Sequence, residues 1–293
     1  MWECAVANDI DIVSRISKLQ DQFSEAEKKI ARLILEDLNF AAHASINTLA
    51  KRAEVSEATV TRFAKALDCK DVRHLKLRLA QSLAVGQRFI SEVTIEATGI
   101  HGVYEAIKSA LDFNANLITT EIIEPAAEVI SNARQVLIFG VGGGSTIMAQ
   151  ECQHRLFRLG LAATAYNDPM LMRMAAAAIE ANDVILALSL GGFSPDVTDA
   201  VNIAREYGAK AVAITPVETP LAASSDLVIP IAPIETDYIF KPSASRYVLL
   251  AAIDVLATEV AIRHKRKSRE KLRRLKLHLD NHKHGNDRLP LGD

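Results

Sequence analysis

Apolar residues in the first third of the chain recur at helical spacing. Ile30, Leu33, Ile34 and Leu38 share one stripe, introduced by Ser24-Glu25-Ala26-Glu27, where serine and glutamate can each satisfy the other's backbone N–H as a capping box. Ser45 heads a short helix with Ile46, Leu49, Ala50 and Ala53 inward. Glu54-Val55-Ser56 breaks it, and Ser56 caps a further helix carrying Val60, Phe63, Ala64 and Leu67. Another helix follows from about Asp71 to Ala84, and no strand-like alternation precedes residue 130. Two short helices joined by a tight turn in a small helical domain make a helix-turn-helix. Ordinary core helices are the plainer alternative.

Residues 85–101 combine two glycines, mixed polarity and weak periodicity, and read as a linker. Helical patterns resume at 104–117 and 122–130. Short apolar runs at 135–139, 162–166, 184–188, 211–215 and 227–231 then alternate with helical stretches reaching about Leu159, over 170–178, and over 195–207. That alternation predicts an α/β domain, a five-stranded parallel sheet flanked by helices, with ligands at the carboxyl ends of its strands. The resulting division is an all-α helix-turn-helix domain over 1–86, a linker over 87–101, the α/β domain over 102–262 and a basic C-terminal helix or tail over 263–293.

Charge sharpens this division. The 293 residues sum to −2, yet residues 1–88 hold 14 Lys/Arg against 12 Asp/Glu, residues 89–262 hold 9 against 20, and residues 263–293 hold 11 against 4. An acidic body would repel nucleic acid, while the segments flanking it could approach it. Cys4, Cys69 and Cys152 are scattered, cannot all pair and lack metal-ligand spacing, which suits a reduced cytoplasmic setting. The N-terminus has no signal-peptide pattern. The most apolar stretch, 247–262, is interrupted by Asp254 and Glu259 and is too short for a bilayer, so no membrane partner is expected.

The strongest ligand signal is the strand-turn-helix Phe139-Gly140-Val141-Gly142-Gly143-Gly144-Ser145-Thr146. Glycines let backbone amides approach an anion, and the helix adds unpaired N–H groups. It can be read as a dinucleotide fingerprint with Asp168 as ribose acid, although Ser145 stands where that pattern needs glycine. It can be a sugar-phosphate cradle joined by the Ser145 and Thr146 hydroxyls, or merely a tight turn. A second loop, Ser189-Leu190-Gly191-Gly192-Phe193-Ser194-Pro195-Asp196, is again rich in hydroxyls and glycine just before a helix, which favours the sugar phosphate. On the helix from Ser56, the residues Ser56, Glu57, Thr59, Thr61, Arg62 and Lys65 form a polar, partly basic face suited to base edges and phosphates. Lys51, Arg52, Lys70, Arg73, Lys76 and Arg78 flank it. No nucleophile–base–orienter set can be assembled. Asp196 and Glu235-Thr236-Asp237 are loop acids, and His154 and the tail histidines read as solvated. No catalytic residue, metal site or cofactor is therefore expected.

Ala53-Glu54-Val55-Ser56-Glu57-Ala58-Thr59-Val60-Thr61-Arg62-Phe63 resembles the V-S-x-x-T-V-x-R-F signature of the RpiR family of bacterial transcription regulators. Members of that family join a helix-turn-helix to a sugar isomerase (SIS) domain that senses phosphosugars, and the resemblance covers about residues 13–280. It implies an effector site at Gly142, Gly144, Ser145, Thr146, Ser189, Gly192 and Ser194. The chain departs from the SIS pattern in two places. The first loop, usually G-x-G-x-S, has one residue more. In the second, Gly191 replaces a hydroxyl and Phe193 an arginine. Ser243-Ala244-Ser245-Arg246 resembles the family's S-R segment, so Ser245 and Arg246 join the expected site and Arg246 could supply the lost charge.

These readings combine into a cytoplasmic, homodimeric or homotetrameric regulator that binds double-stranded operator DNA. The resemblance implies repression of carbohydrate catabolism, relieved by a phosphosugar effector such as 2-keto-3-deoxy-6-phosphogluconate. A sugar-phosphate isomerase with a helical appendage and a dinucleotide-sensing regulator are the alternatives. In the tail, Leu272, Leu275 and Leu279 repeat at helical spacing among Lys265, Arg266, Lys267, Arg269, Arg273 and Arg274. Those cations are either solvated, or contact DNA phosphates, or dock on the acidic body.

Overall fold

The computed structural model describes residues 11–85, 99–234 and 243–283. These fall into two compact units, 11–85 and the remainder. The first is all helical: α1 (Ile12–Leu19), a 3-10 turn (Gln20–Gln22), α2 (Glu25–Glu36), α3 (Leu38–His43), α4 (Ile46–Arg52), α5 (Glu57–Ala66) and α6 (Val72–Val85). Side-chain caps start α1 to α5. Asp11 accepts from the Ser14 N–H, Ser24 and Glu27 form the expected capping box, and Ser45 and Ser56 cap α4 and α5. One difference from the sequence pattern is at Asp37. Leu38 continues the α2 stripe in phase, but Asp37 (φ −143°) breaks the helix and its carboxylate caps α3 by accepting from Phe40. Ile16, Ile30, Ile34, Phe63, Leu75 and Leu79 are fully buried in the core, and the Phe23 ring sits 5.1 Å from that of Phe63. Burying each such side chain is worth about 1.5–3 kcal/mol relative to exposure.

The second unit opens with α7 (Gly99–Asn114), which starts within the segment read as linker; residues 86–98 lie outside the described residues. Next come α8 (Thr120–Ser131), β1 (Val136–Phe139), α9 (Gly143–Arg158), β2 (Ala163–Tyr166), α10 (Pro169–Ala177), β3 (Val184–Leu188) and α11 (Pro195–Glu206). The chain continues through β4 (Lys210–Thr215), α12 (Pro220–Ala223), β5 (Leu227–Pro230), α13 (Ser245–Arg263) and α14 (Lys265–Lys283). All five predicted strands are present and pair in parallel in the order β2-β1-β3-β4-β5.

Alternation along each strand divides the core between the two faces of the sheet. Ile138, Leu186, Val212 and Ile214 pack with α8, α9 and α13. Phe139, Ile185, Ala187, Ala211 and Ala213 pack with α10 and α11. Below the strands' amino ends, the fully buried Asp183 accepts from Arg134 Nε and Nη2 (2.8 and 2.6 Å), Gln135 Nε2 (3.0 Å) and the Glu180 N–H (3.0 Å). Burial alone would raise this carboxyl, but the Arg134, Gln135 and Glu180 bonds and the Arg134 charge hold it below the ordinary aspartate value. The pair locks the bottom of the sheet. Among the described residues no helix is long and apolar enough to cross a membrane.

Candidate functional site

In the first unit, α4 and α5 are joined by a turn in which Glu54 adopts φ +54° and pairs with Lys29 on α2 at 3.2 Å. Glu57 accepts from Asn47 Nδ2 (3.0 Å), which ties the start of α5 to α4. Ser56, Glu57, Arg62 and Lys65 are exposed together, and Thr61 is half-buried with its hydroxyl donating to the Glu57 carbonyl. Thr59 departs from the polar face expected of it. It is 7% exposed, with its hydroxyl against Ser56 Oγ (2.9 Å) and accepting from Arg62 Nη2 (3.3 Å). It lies one turn before Phe63 on the inward stripe, and so positions Ser56 and Arg62. Three flanking cations are also engaged. Arg78 is buried, Lys76 Nζ donates to the His43 carbonyl at 3.3 Å, and Arg52 lies 4.1 Å over the Phe40 ring with Asp37 at 3.4 Å.

In the second unit the order β2-β1-β3-β4-β5 reverses between β1 and β3. The chain leaving β1 enters α9 on one face of the sheet, and the chain leaving β3 enters α11 on the other. Such a switch point opens a crevice at the carboxyl ends of the strands. Both glycine loops lie there. Gly140 is required by packing, since a Cβ would sit 2.5 Å from the Ser145 carbonyl oxygen. Gly142 (φ +86°) turns the chain into α9, and a Cβ on Gly144 would meet Leu190 of the second loop at 3.4 Å, so the two loops adjoin. α9 already begins at Gly143, inside the glycine run.

The polar groups of the crevice are hydroxyls and amides. Neither α9 nor α11 has a side-chain cap, unlike α10 and α12, which are capped by Asp168 and Thr219. Ser145 is buried at the first turn of α9, and neither its hydroxyl nor that of Ser194 makes a hydrogen bond among the described residues. Thr146 donates to the Gly140 carbonyl at 3.4 Å. Ser189 Oγ is buried and accepts from the Gly192 N–H at 2.9 Å, leaving its proton free to donate elsewhere. Gly192 (φ +73°) is pressed against Thr219, whose Oγ1 would lie 2.4 Å from a Cβ there. Sequence reasoning missed two hydroxyls on this rim, Thr219 and Thr215. Thr215 ends β4, one residue beyond the Leu188–Ile214 pair that Ser189 follows on β3, and is fully buried with its Oγ1 unpartnered. A hydroxyl ending a strand next to a serine-bearing strand was the available signal.

Other expected participants are engaged with neighbouring groups. Asp168 accepts from the Leu171 N–H at 2.8 Å as the α10 cap. Asp196 is paired with Arg173 at 3.2 Å. Ser245 is buried at the start of α13. Arg246 lies 5.0 Å over the Tyr247 ring and makes no side-chain bond to either loop among the described residues. Glu235-Thr236-Asp237 lie outside the described residues.

Comparison with known proteins places both units in a family. Residues 10–86 match the model described as the helix-turn-helix domain of the rpiR family, and residues 129–259 match the SIS domain. The transcriptional regulator HexR of Pseudomonas aeruginosa is 34% identical over 270 residues, 91% of this chain and 94% of that one. The chain belongs to the RpiR family. The HexR of Escherichia coli is 30% identical, over 91% of this chain and 93% of its own. A solved structure of NanR from Vibrio vulnificus shares the fold, with TM-score 0.59 and 22% identity, over 94% of this chain and all of that one. As an RpiR-family protein the chain is a transcriptional regulator with a helical DNA-binding part followed by a SIS domain, and its curated relatives include HexR regulators.

Proposed function

We propose that this regulator is a repressor of carbohydrate catabolism, released from operator DNA when a phosphorylated sugar or sugar acid occupies the switch-point crevice. The observation carrying the reading is that the two uncapped helix starts, α9 and α11, converge with the Ser145, Ser189 and Ser194 hydroxyls. Unpaired helix N–H groups and serine donors are the chemistry a phosphate dianion needs. The NanR neighbour is solved with ManNAc-6P, and the resemblance to the family adds 2-keto-3-deoxy-6-phosphogluconate as first candidate. In this reading the protein binds the sugar phosphate without a cofactor and without turning it over, which is supported by its regulator relatives and by Asp168 and Asp196 being held in a cap and an ion pair. Ser56, Glu57, Arg62 and Lys65 face the DNA. A second copy would cover the exposed Met170, Leu171 and Met174 of α10 beside the edge strand β2.

Thermal shift with 2-keto-3-deoxy-6-phosphogluconate, ManNAc-6P, NADH and inorganic phosphate tests this, with operator release followed in parallel. A phosphosugar that raises the melting temperature and releases DNA supports the reading. Stabilisation by NADH alone, or turnover of a bound sugar phosphate, overturns it.

A further inference from the structure

The proposed function makes no use of α14, whose charge arrangement goes against helix physics. Its first turn contains Lys265, Arg266 and Lys267 and no acid, and Arg269 and Arg273 follow. Cations at a helix amino end oppose the helix dipole, so this placement destabilises the turn that carries it. The opposite stripe holds the helix in place. Ser268 is buried, Leu272 packs on the second unit's core, and the Lys271 stem lies over Gly160, where a Cβ would sit 3.2 Å from it.

Docking therefore does not use the cations. Lys265, Arg266, Lys267, Arg269 and Arg273 are exposed and make no ion pair among the described residues. The two acids on the described helix are engaged locally, Glu270 with Arg274 and Asp280 with Lys276. Neighbouring acids of the body are engaged as well, Glu151 and Asp254 with Arg155, Glu128 and Glu259 with Arg263. A local rule broken without a structural gain marks a functional surface.

We infer that the exposed face of α14 is a second, sequence-independent contact for DNA phosphates, additional to the helix-turn-helix. Arg266 and Arg273 are seven residues apart, about 10.5 Å along the helix axis. One DNA strand advances about 3.4 Å per phosphate, so this pair can reach phosphates about three steps apart. A bilayer is the poorer partner, because Leu277 is the single large apolar residue exposed on the described helix, and a membrane-surface helix needs an apolar face to insert.

The test uses the full chain carrying Arg266→Gln, Lys267→Gln, Arg269→Gln and Arg273→Gln together. Binding to a duplex of scrambled sequence is followed over a salt series. Each lost phosphate contact takes about 0.9 off the slope of log affinity against log salt, so the slope should become shallower by up to about 3.6. An unchanged slope overturns the inference, as does an unchanged slope with lost binding to phosphatidylserine vesicles, which would make the surface a lipid contact. The melting temperature should hold or rise slightly, since the four side chains are exposed and those in the first turn oppose the helix dipole. If it falls, single Arg266→Gln and Arg273→Gln variants carry the test, each expected to reduce the slope by about 0.9. No effector enters the measurement, so its failure is distinct from failure of the phosphosugar reading.

Discussion

Replacing Ser189 with alanine separates what its hydroxyl does for the fold from what it does for a ligand. Its oxygen accepts from the buried Gly192 N–H at 2.9 Å, and alanine leaves that donor unsatisfied. The expected loss is about 1–3 kcal/mol. In a unit of this size each 1 kcal/mol moves the midpoint by about 2–4 °C, so the ligand-free variant should melt measurably lower. The proton of the same hydroxyl is free to donate to a phosphate. Losing one charge-assisted hydrogen bond costs about 1.5–3 kcal/mol, roughly a ten- to hundredfold weaker dissociation constant. Calorimetry with the stabilising phosphosugar, beside melting of the unliganded variant and of Ser189→Thr, which keeps a hydroxyl, separates the two effects. A variant that melts lower yet binds the sugar phosphate with parental affinity would refute the donor role and leave Ser189 as a loop-holding residue.

Arg62→Ala should weaken operator binding by about 1–3 kcal/mol if the guanidinium reads a base, whereas Thr59→Ala, buried against Ser56, should lower the melting temperature as well; operator titration and melting of both variants check this. Gly192→Ala imposes a Cβ at φ +73° against Thr219 and should distort the second loop, seen as lost effector response with operator affinity retained. Asp183→Asn should lower the melting temperature at neutral pH, because the buried carboxylate loses its charge-assisted bonds from the half-exposed Arg134. Since Asp183 titrates below its ordinary value when folded, the parent's advantage is present above about pH 4 and disappears as pH falls through the folded value; parallel melts from neutral to acid pH should converge.

The strands were the most legible part of the sequence. Each is a run of four to six residues, bounded by Gly, Pro or polar turns, and buried sheets leave little else that such a run can be. Boundaries were lost where periodicity and capping disagree. Leu38 keeps the α2 phase although Asp37 stops the helix, because an aspartate that caps a new helix does not disturb the spacing of its apolar neighbours. The short α12 was missed despite its Thr219-Pro220 start, a cap followed by proline. At the sites, residue type was legible but direction was not. Thr59 is polar and buried, while Arg246 has the right charge and faces Tyr247 instead of the loops. Such outcomes depend on tertiary neighbours that one-dimensional spacing does not encode.

The loops lining the crevice, residues 140–146 and 189–195, contain no titratable side chain. Hydroxyls and peptide amides keep the same donors throughout the neutral range. An anion held only by such groups brings the variable charge itself. A sugar phosphate passes from monoanion to dianion near pH 6, and the dianion is the better guest for uncharged donors and helix ends. Mild acidification would therefore blunt the response through the metabolite's own ionisation, leaving the receptor unaltered, so that the pH of the cell enters as a silent second input.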